Sequence, residues 1–241
     1  MSAARYRSRG GTPERDPPRR TKSTPRAPGR PRAAEGVDEE AFLEAALRAF
    51  AVQGYDGVSV RLLSKELGVS HSWVHQRFGS KEGLWYAAVD HAFGRQAATI
   101  AFDPTITDPL EQLERVIKRF LRYAAEHPEL GRIVNTEGGE DTKRLDYLYE
   151  NYIDPPRTSV ARLLDHLISE RRVRPVTMRT LLLLIAHGAA APFELAPLAR
   201  RLADSEKREE DVAAHIEAAT RIIIDGLRVT AEAPVAAGPP G

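Results

Sequence analysis

Residues 59–84 read SVRLLSKELGVSHSWVHQRFGSKEGL, and this stretch decides the fold. Ser59 precedes an apolar run that stops at Leu67-Gly68. Ser70 precedes a second that stops at Phe78-Gly79, and Ser80 opens a third with Lys81-Glu82-Gly83-Leu84. A serine oxygen at such a position accepts from one of the orphan N–H groups of a helix start. A glycine just past the end lets the backbone turn with positive φ. The reading is two short helices joined by Gly68-Val69-Ser70. Leu62, Leu63, Leu67, Val69, Val74 and Phe78 are expected to bury against a preceding helix and fix the angle. That is the size of a helix-turn-helix, whose second helix points its N-terminal residues into a DNA major groove. Helical hairpins also occur in bundles that bind no DNA, so the spacing alone leaves both readings open.

Working outward, helical periodicity begins at Asp38. Phe42, Ala46, Ala49 and Phe50 share a face, Asp38 suits an N-cap, and Gly54 is expected to end the helix. Downstream, helices are expected over 108–126, 141–153 up to Pro155-Pro156, 157–170 beyond that break or kink, 177–190, and about 209–227. Gly138-Gly139 and residues 205–208 read as turns. No stretch alternates as a strand, so the fold class is all-α. The expected division is a basic disordered arm over 1–35, a helix-turn-helix domain over 36–88, a helical-bundle domain over 89–230, and a disordered tail over 231–241.

The 241 residues are 42% hydrophobic and include no cysteine. A disulfide framework, thiolate zinc and cysteine nucleophiles are therefore excluded. The densest apolar run, Leu181–Ala186, is far short of the roughly 18–20 residues of a membrane span. The basic N-terminus has no apolar stretch behind it, unlike a secretory signal, and a cytoplasmic location with no membrane partner is expected. Residues 1–36 hold ten Arg or Lys against three acids, a surplus of seven, and the remainder is acidic by six. Basic tails of this kind often reach for nucleic acid, and a merely soluble, disordered leader is the other reading.

The stretch from about Val37 to Ala88 resembles the tetracycline-repressor (TetR) family. The matching residues are Phe50, Gly54, Ser59-Val60-Arg61, Gly68-Val69-Ser70, Val74, Phe78, and Ser80-Lys81-Glu82 with Leu84. The resemblance implies a DNA-binding regulator, a ligand-responsive repressor acting as a homodimer on a palindromic operator in double-stranded DNA. It places Arg61 at a base-contacting position and His71, Ser72 and Trp73 at groove-reading positions. His75 and Gln76 stand where the family holds aromatic phosphate binders, and Lys81 where it holds a phosphate-binding lysine. Ser70 and the helix N-termini can donate to phosphates. His75 and Trp73 depart from the family's usual tyrosine and small residue, so the operator cannot be borrowed from a relative. Trp73 either covers a thymine methyl or belongs partly to the core.

Residues 37–86 are not basic, with five Arg or Lys against seven acids. Charge for phosphate binding must come from elsewhere. Pro28-Gly29-Arg30-Pro31-Arg32 resembles the core of an AT-hook, so Arg30 and Arg32 are candidates to enter an A·T-rich minor groove.

The resemblance further implies a C-terminal domain that dimerises and encloses a small-molecule pocket. Tyr123, Asn135, Tyr147, Tyr152, His187 and Phe193 are candidates to line it for a small apolar or aromatic effector. Each could equally be ordinary core or surface. Val212, Ile216, Ala219 and Ile223 form one stripe of the last helix and are candidates for dimerisation. That helix, apolar on more than one side at Ile222-Ile223-Ile224, is expected to pack both inward and against a second subunit, and with the apolar 181–190 helix to form an isologous four-helix interface. His71 and His75 have the i, i+4 spacing of metal ligands but no carboxylate beside them, and the DNA role accounts for both, so no metal is expected. No phosphate loop, dinucleotide fingerprint or catalytic group stands out, so neither a cofactor nor enzyme activity is expected. The rival reading is a small-molecule sensor whose DNA-binding head is vestigial.

Overall fold

The structure, a computed structural model, describes residues 38–100, 102–202 and 212–229. The arm with Arg30 and Arg32, the turn over 205–208, the start of the last helix at 209 and the tail over 231–241 lie outside them.

Helix α1 (Glu39–Gly57) starts at Asp38, whose carboxylate accepts from the Ala41 N–H at 3.1 Å. Helical geometry breaks at Gly54, at φ 71°, as expected, and one more turn carries the chain to Gly57. Helices α2 (Val60–Glu66), α3 (His71–Phe78) and α4 (Lys81–Ile100) follow, with Ser59 and Ser70 as N-caps and Gly79 as C-cap. α5 (Pro109–Glu126) is capped by Asp108, which accepts from the N–H groups of Leu110 and Glu111.

Helices α6 (Pro128–Glu137), α10 (Ala191–Glu194) and α11 (Ala196–Leu202) were not anticipated. Pro128 and Pro192 read as stops, yet each sits in a first turn, where the missing N–H has no intrahelical partner to lose. α7 (Lys143–Leu148) passes through a π-helical turn, Tyr149–Ile153, directly into α8 (Asp154–Ser169). The break expected at Pro155-Pro156 is this wide turn, and both prolines fall in the first turn of α8. A second π turn, Leu184–Ala189, continues α9 (Met178–Leu183), and α12 (Val212–Leu227) closes the described chain.

Two cores result. The first gathers Phe42, Phe50, Leu63, Val74, Leu84 and Trp85 from α1–α4, and reaches Tyr123, Leu130, Ile133 and Leu148 on later helices. The second packs Leu113, Leu121, Leu164, Leu167, Leu181, Ile216 and Ile223 from α5, α8, α9 and α12. Of the residues expected to bury around the helix-turn-helix, Leu63 and Val74 do, while Leu62 and Leu67 are 55% and 39% exposed. The seven-residue α2 has room for one inward face only, and Leu63 with Ser64 fills it.

The stripe on α12 also needs correction. Ile216 and Ile223 are 3% and 8% exposed within a single chain and belong to its own second core. Ala219 packs against that core too, and only Val212 of the four points outward. The apolar periodicity was real, but α5 of the same chain uses it. Ile222, 74% exposed, is a second outward apolar residue of that helix. Among the described residues no helix is long and apolar enough to cross a membrane.

Candidate nucleic-acid interface and ligand pocket

The helix-turn-helix is held by short-range bonds that its sequence supplies. Ser59 Oγ accepts from the Leu62 N–H and Ser70 Oγ from the Trp73 N–H. Gly68, at φ 70°, turns the chain, and the Val69 N–H then donates to the Ser64 carbonyl at 2.9 Å. Gly83 has a different purpose. A β-carbon there would overlap the Phe78 carbonyl oxygen, so only glycine lets α4 start this close to the end of α3.

Trp73 is half-buried and packs against the first core. Its ring meets Phe42 edge-on at 5.3 Å and Phe78 at 5.8 Å, while Phe42 and Phe78 stack at 6.0 Å. Edge-to-face pairs of this kind contribute about 0.5–1.5 kcal/mol beyond the area they bury. With Trp73 turned inward, the solvent-facing row of α3 is His71, Ser72, His75 and Gln76. Arg61, near the start of α2, is also exposed. Ser70 has its hydroxyl 3.1 Å from that of Ser72, in addition to its capping bond.

The cations near this surface are not equally available. Arg77 at the end of α3 donates twice to Glu39, at 2.7 and 2.8 Å, and that bond followed by the carboxylate's charge raises the guanidinium pKa further. Lys81 Nζ donates to the Asp56 carbonyl at 3.2 Å and lies 4.8 Å from the Tyr55 ring centre. Arg61 has no such partner among the described residues. The Arg77–Glu39 pair spans 38 residues, and no local pattern announces it.

A cavity of about 290 Å³ opens in the C-terminal half, between α5, α6, α8 and α9. Leu113, Ile117, Phe120, Val160, Met178 and Ile185 are among its mainly apolar walls. Of the six residues expected to line a pocket, Tyr123, Asn135, Tyr152 and His187 do, and Tyr147 and Phe193 do not. The Tyr147 ring lies 4.5 Å from Tyr86 and its hydroxyl donates to Asp90 at 2.6 Å. Phe193 packs on the second core, edge-on to His215. Tyr123 is buried, with its hydroxyl satisfied by the Ala92 carbonyl, so it offers the cavity ring and not oxygen.

Sequence reasoning missed two groups here. Asp90 on α4 accepts from Tyr147 and also from the cavity-lining Tyr152, at 2.7 Å. Burial, then the bond to Asp90, raises both phenols, Tyr147 to about 12, so each remains a proton donor near neutral pH. This joins a cavity wall to the helix that follows the helix-turn-helix. The other group is Glu194, which takes the amide of Asn135 at 2.5 Å and lies beside His187. Its pKa is raised by burial, against the lowering effects of His187, Asn135 and Arg132. Among the described residues no cluster of three or more His, Asp or Glu is placed to hold a metal ion.

Residues 42–88 match the family model for bacterial regulatory proteins of the tetR family, and residues 109–224 match a tetracyclin repressor-like C-terminal domain. The chain is 28% identical over 99 residues to the HTH-type transcriptional repressor NicS of Pseudomonas putida, covering 40% of this chain and 46% of that one. It is 30% identical over 122 residues to the HTH-type transcriptional regulator BetI of Rhizobium meliloti, covering 48% and 60%. The chain thus spans less than two thirds of either relative. A bacterial regulatory protein of the tetR family from Rhodococcus has the same fold, with TM-score 0.64 at 15% identity over 81% of this chain and all of that one. With both halves matched in order and the fold shared, the chain belongs to the TetR family of bacterial regulatory proteins.

Proposed function

We propose that this protein is a ligand-responsive repressor that binds a palindromic operator as a homodimer. The observation that carries the reading is the row Arg61, His71, Ser72, His75 and Gln76, exposed on two short helices whose opposite faces are locked into a core. Arg61 has the fork geometry to read a guanine edge, and Gln76 the amide that suits adenine. His71, Ser72 and His75 complete the groove-facing set, Ser70 contributes at the helix N-terminus, and Lys81 serves the phosphates once it leaves the Asp56 carbonyl. Arg61→Ala should weaken operator binding by about 1–3 kcal/mol and relax the preference at one base position. Lys81→Ala should weaken all duplexes alike. Binding of labelled duplexes from the chain's own promoter region measures both. Equal loss on every sequence for Arg61→Ala rejects base reading, and no binding to any duplex leaves the protein a small-molecule sensor.

The arm is proposed to add the missing positive charge, with Arg30 and Arg32 in the minor groove beside the major-groove contact. Removing residues 1–34 should flatten the dependence of affinity on salt. An unchanged slope would end the idea.

The cavity is proposed as the effector site, with Tyr152 carrying its state to Asp90 on α4. Half-sites on one face of DNA lie about 34–36 Å apart, so a small change in the spacing of two heads prevents both from fitting. The second copy is proposed to pack on the outward side of α9 and α12, where Leu183, Leu184, Val212 and Ile222 expose apolar surface.

A further inference from the structure

The polar groups of the cavity point to the class of molecule it takes. We infer that its ligand has an apolar body and a single cationic head, an alkyl or aryl amine, held at Glu194; this rests on the cavity being the effector site.

The basic side chains of the lining already face carboxylates. Arg157 donates to Asp154, with Nε at 2.9 Å, and His127 lies 3.4 Å from Glu129. His187 lies near enough to Glu194 to act on that carboxylate. An anionic head would have to displace one of these pairs. Among the described residues Glu194 is the sole carboxylate of the lining, and it is built into place. Arg132 donates to its backbone carbonyl at 2.8 Å, and Asn135 holds Oε2. Gly131, in the middle of α6, leaves the space that Glu194 Oε1 occupies, since a β-carbon there would overlap it. No hydrogen bond within the described chain reaches that Oε1.

Half-burial raises the Glu194 pKa, which means the charged form lacks full solvation. A cation brought to Oε1 restores that solvation, and the charge-assisted bond is stronger than a neutral one. Asn135 and His187 are exposed, so this end of the cavity borders solvent while Ile117, Val160 and Ile185 line apolar wall. A ligand would therefore lay its hydrocarbon inside and its charged end at Glu194.

Three probes with one chain and different heads test this on the full-length protein: decylamine, decan-1-ol and decanoate, titrated by calorimetry below their micelle-forming concentrations. Decylamine should bind at least about tenfold more tightly than decanoate, the scale of one charge-assisted hydrogen bond. Glu194→Gln should bring the two within about twofold of one another on the same scale while decan-1-ol binds as before, which also shows that the variant folds. Decanoate binding as well as decylamine overturns the head-group assignment and leaves the effector site standing. An amine preference that survives Glu194→Gln removes Glu194 from the role. If none of the three binds, the effector-site reading falls and this inference with it.

Discussion

Ile223→Glu is expected to unfold the C-terminal core, whereas Ile222→Glu, one residue away, leaves the fold intact and separates subunits. Ile223 is 8% exposed among Leu113, Leu121, Leu167 and Leu181. The substitution removes a buried side chain, worth about 1.5–3 kcal/mol, and puts an unpaired carboxylate in its place. A total above about 4 kcal/mol is a large share of the 5–15 kcal/mol that stabilises a domain. Ile222 faces outward at 74% exposure, so a charge there should change monomer stability by less than about 0.5 kcal/mol. Urea denaturation reads the first effect and sedimentation the second. A folded Ile223→Glu protein with an unshifted midpoint would contradict the inward placement. An Ile222→Glu protein that stays dimeric at all concentrations would remove this face from the interface.

Arg144→Ala should be the other costly change, at about 3–5 kcal/mol, because it strands a buried charge. Glu137 at the end of α6 is 4% exposed, and Arg144 Nε lies 3.0 Å from each of its oxygens. The Thr142 hydroxyl adds a bond at 3.2 Å. The same guanidinium covers the Tyr55 ring at 3.9 Å, beyond the Gly54 bend of α1. Arg144→Ala thus removes the pair and the stacking together. Adding Glu137→Gln to that variant takes away the stranded charge and should recover part of the loss. Thermal melts of the single and double variants decide it. A double variant no more stable than Arg144→Ala would show that stacking on Tyr55, and not the charge, carries the effect.

Both cases show what was legible in the chain and what was not. Caps and turns were legible, because Asp38, Ser59 and Ser70 act on N–H groups three residues away. The positive φ of Gly54, Gly68 and Gly79 is equally local. Periodicity located the apolar stripe of α12 but could not say whether α5 or a second chain covers it, since both demand the same spacing. Proline misled where it opened a helix, at Pro128 and Pro192. In the cavity, Tyr123, Asn135, Tyr152 and His187 were found by residue type, and Tyr147 was lost because its ring packs on Tyr86 instead. Asp90, Glu194 and the Arg77–Glu39 pair were beyond reach. Their partners lie 38 to 62 residues away, and only the packing of helices brings them together.

The packing of Trp73 has an optical consequence. The chain holds two tryptophans, Trp85 in the first core and Trp73 packed against it. One indole lies half-buried on the recognition helix and the other is fully enclosed on α4. The second core, formed around α5, α8, α9 and α12, contains none. Indole emission from this protein therefore reports on the head and on the start of the helix behind it, with no background from the other half. A spectral change on adding a small molecule to the cavity would come from indoles that do not line it.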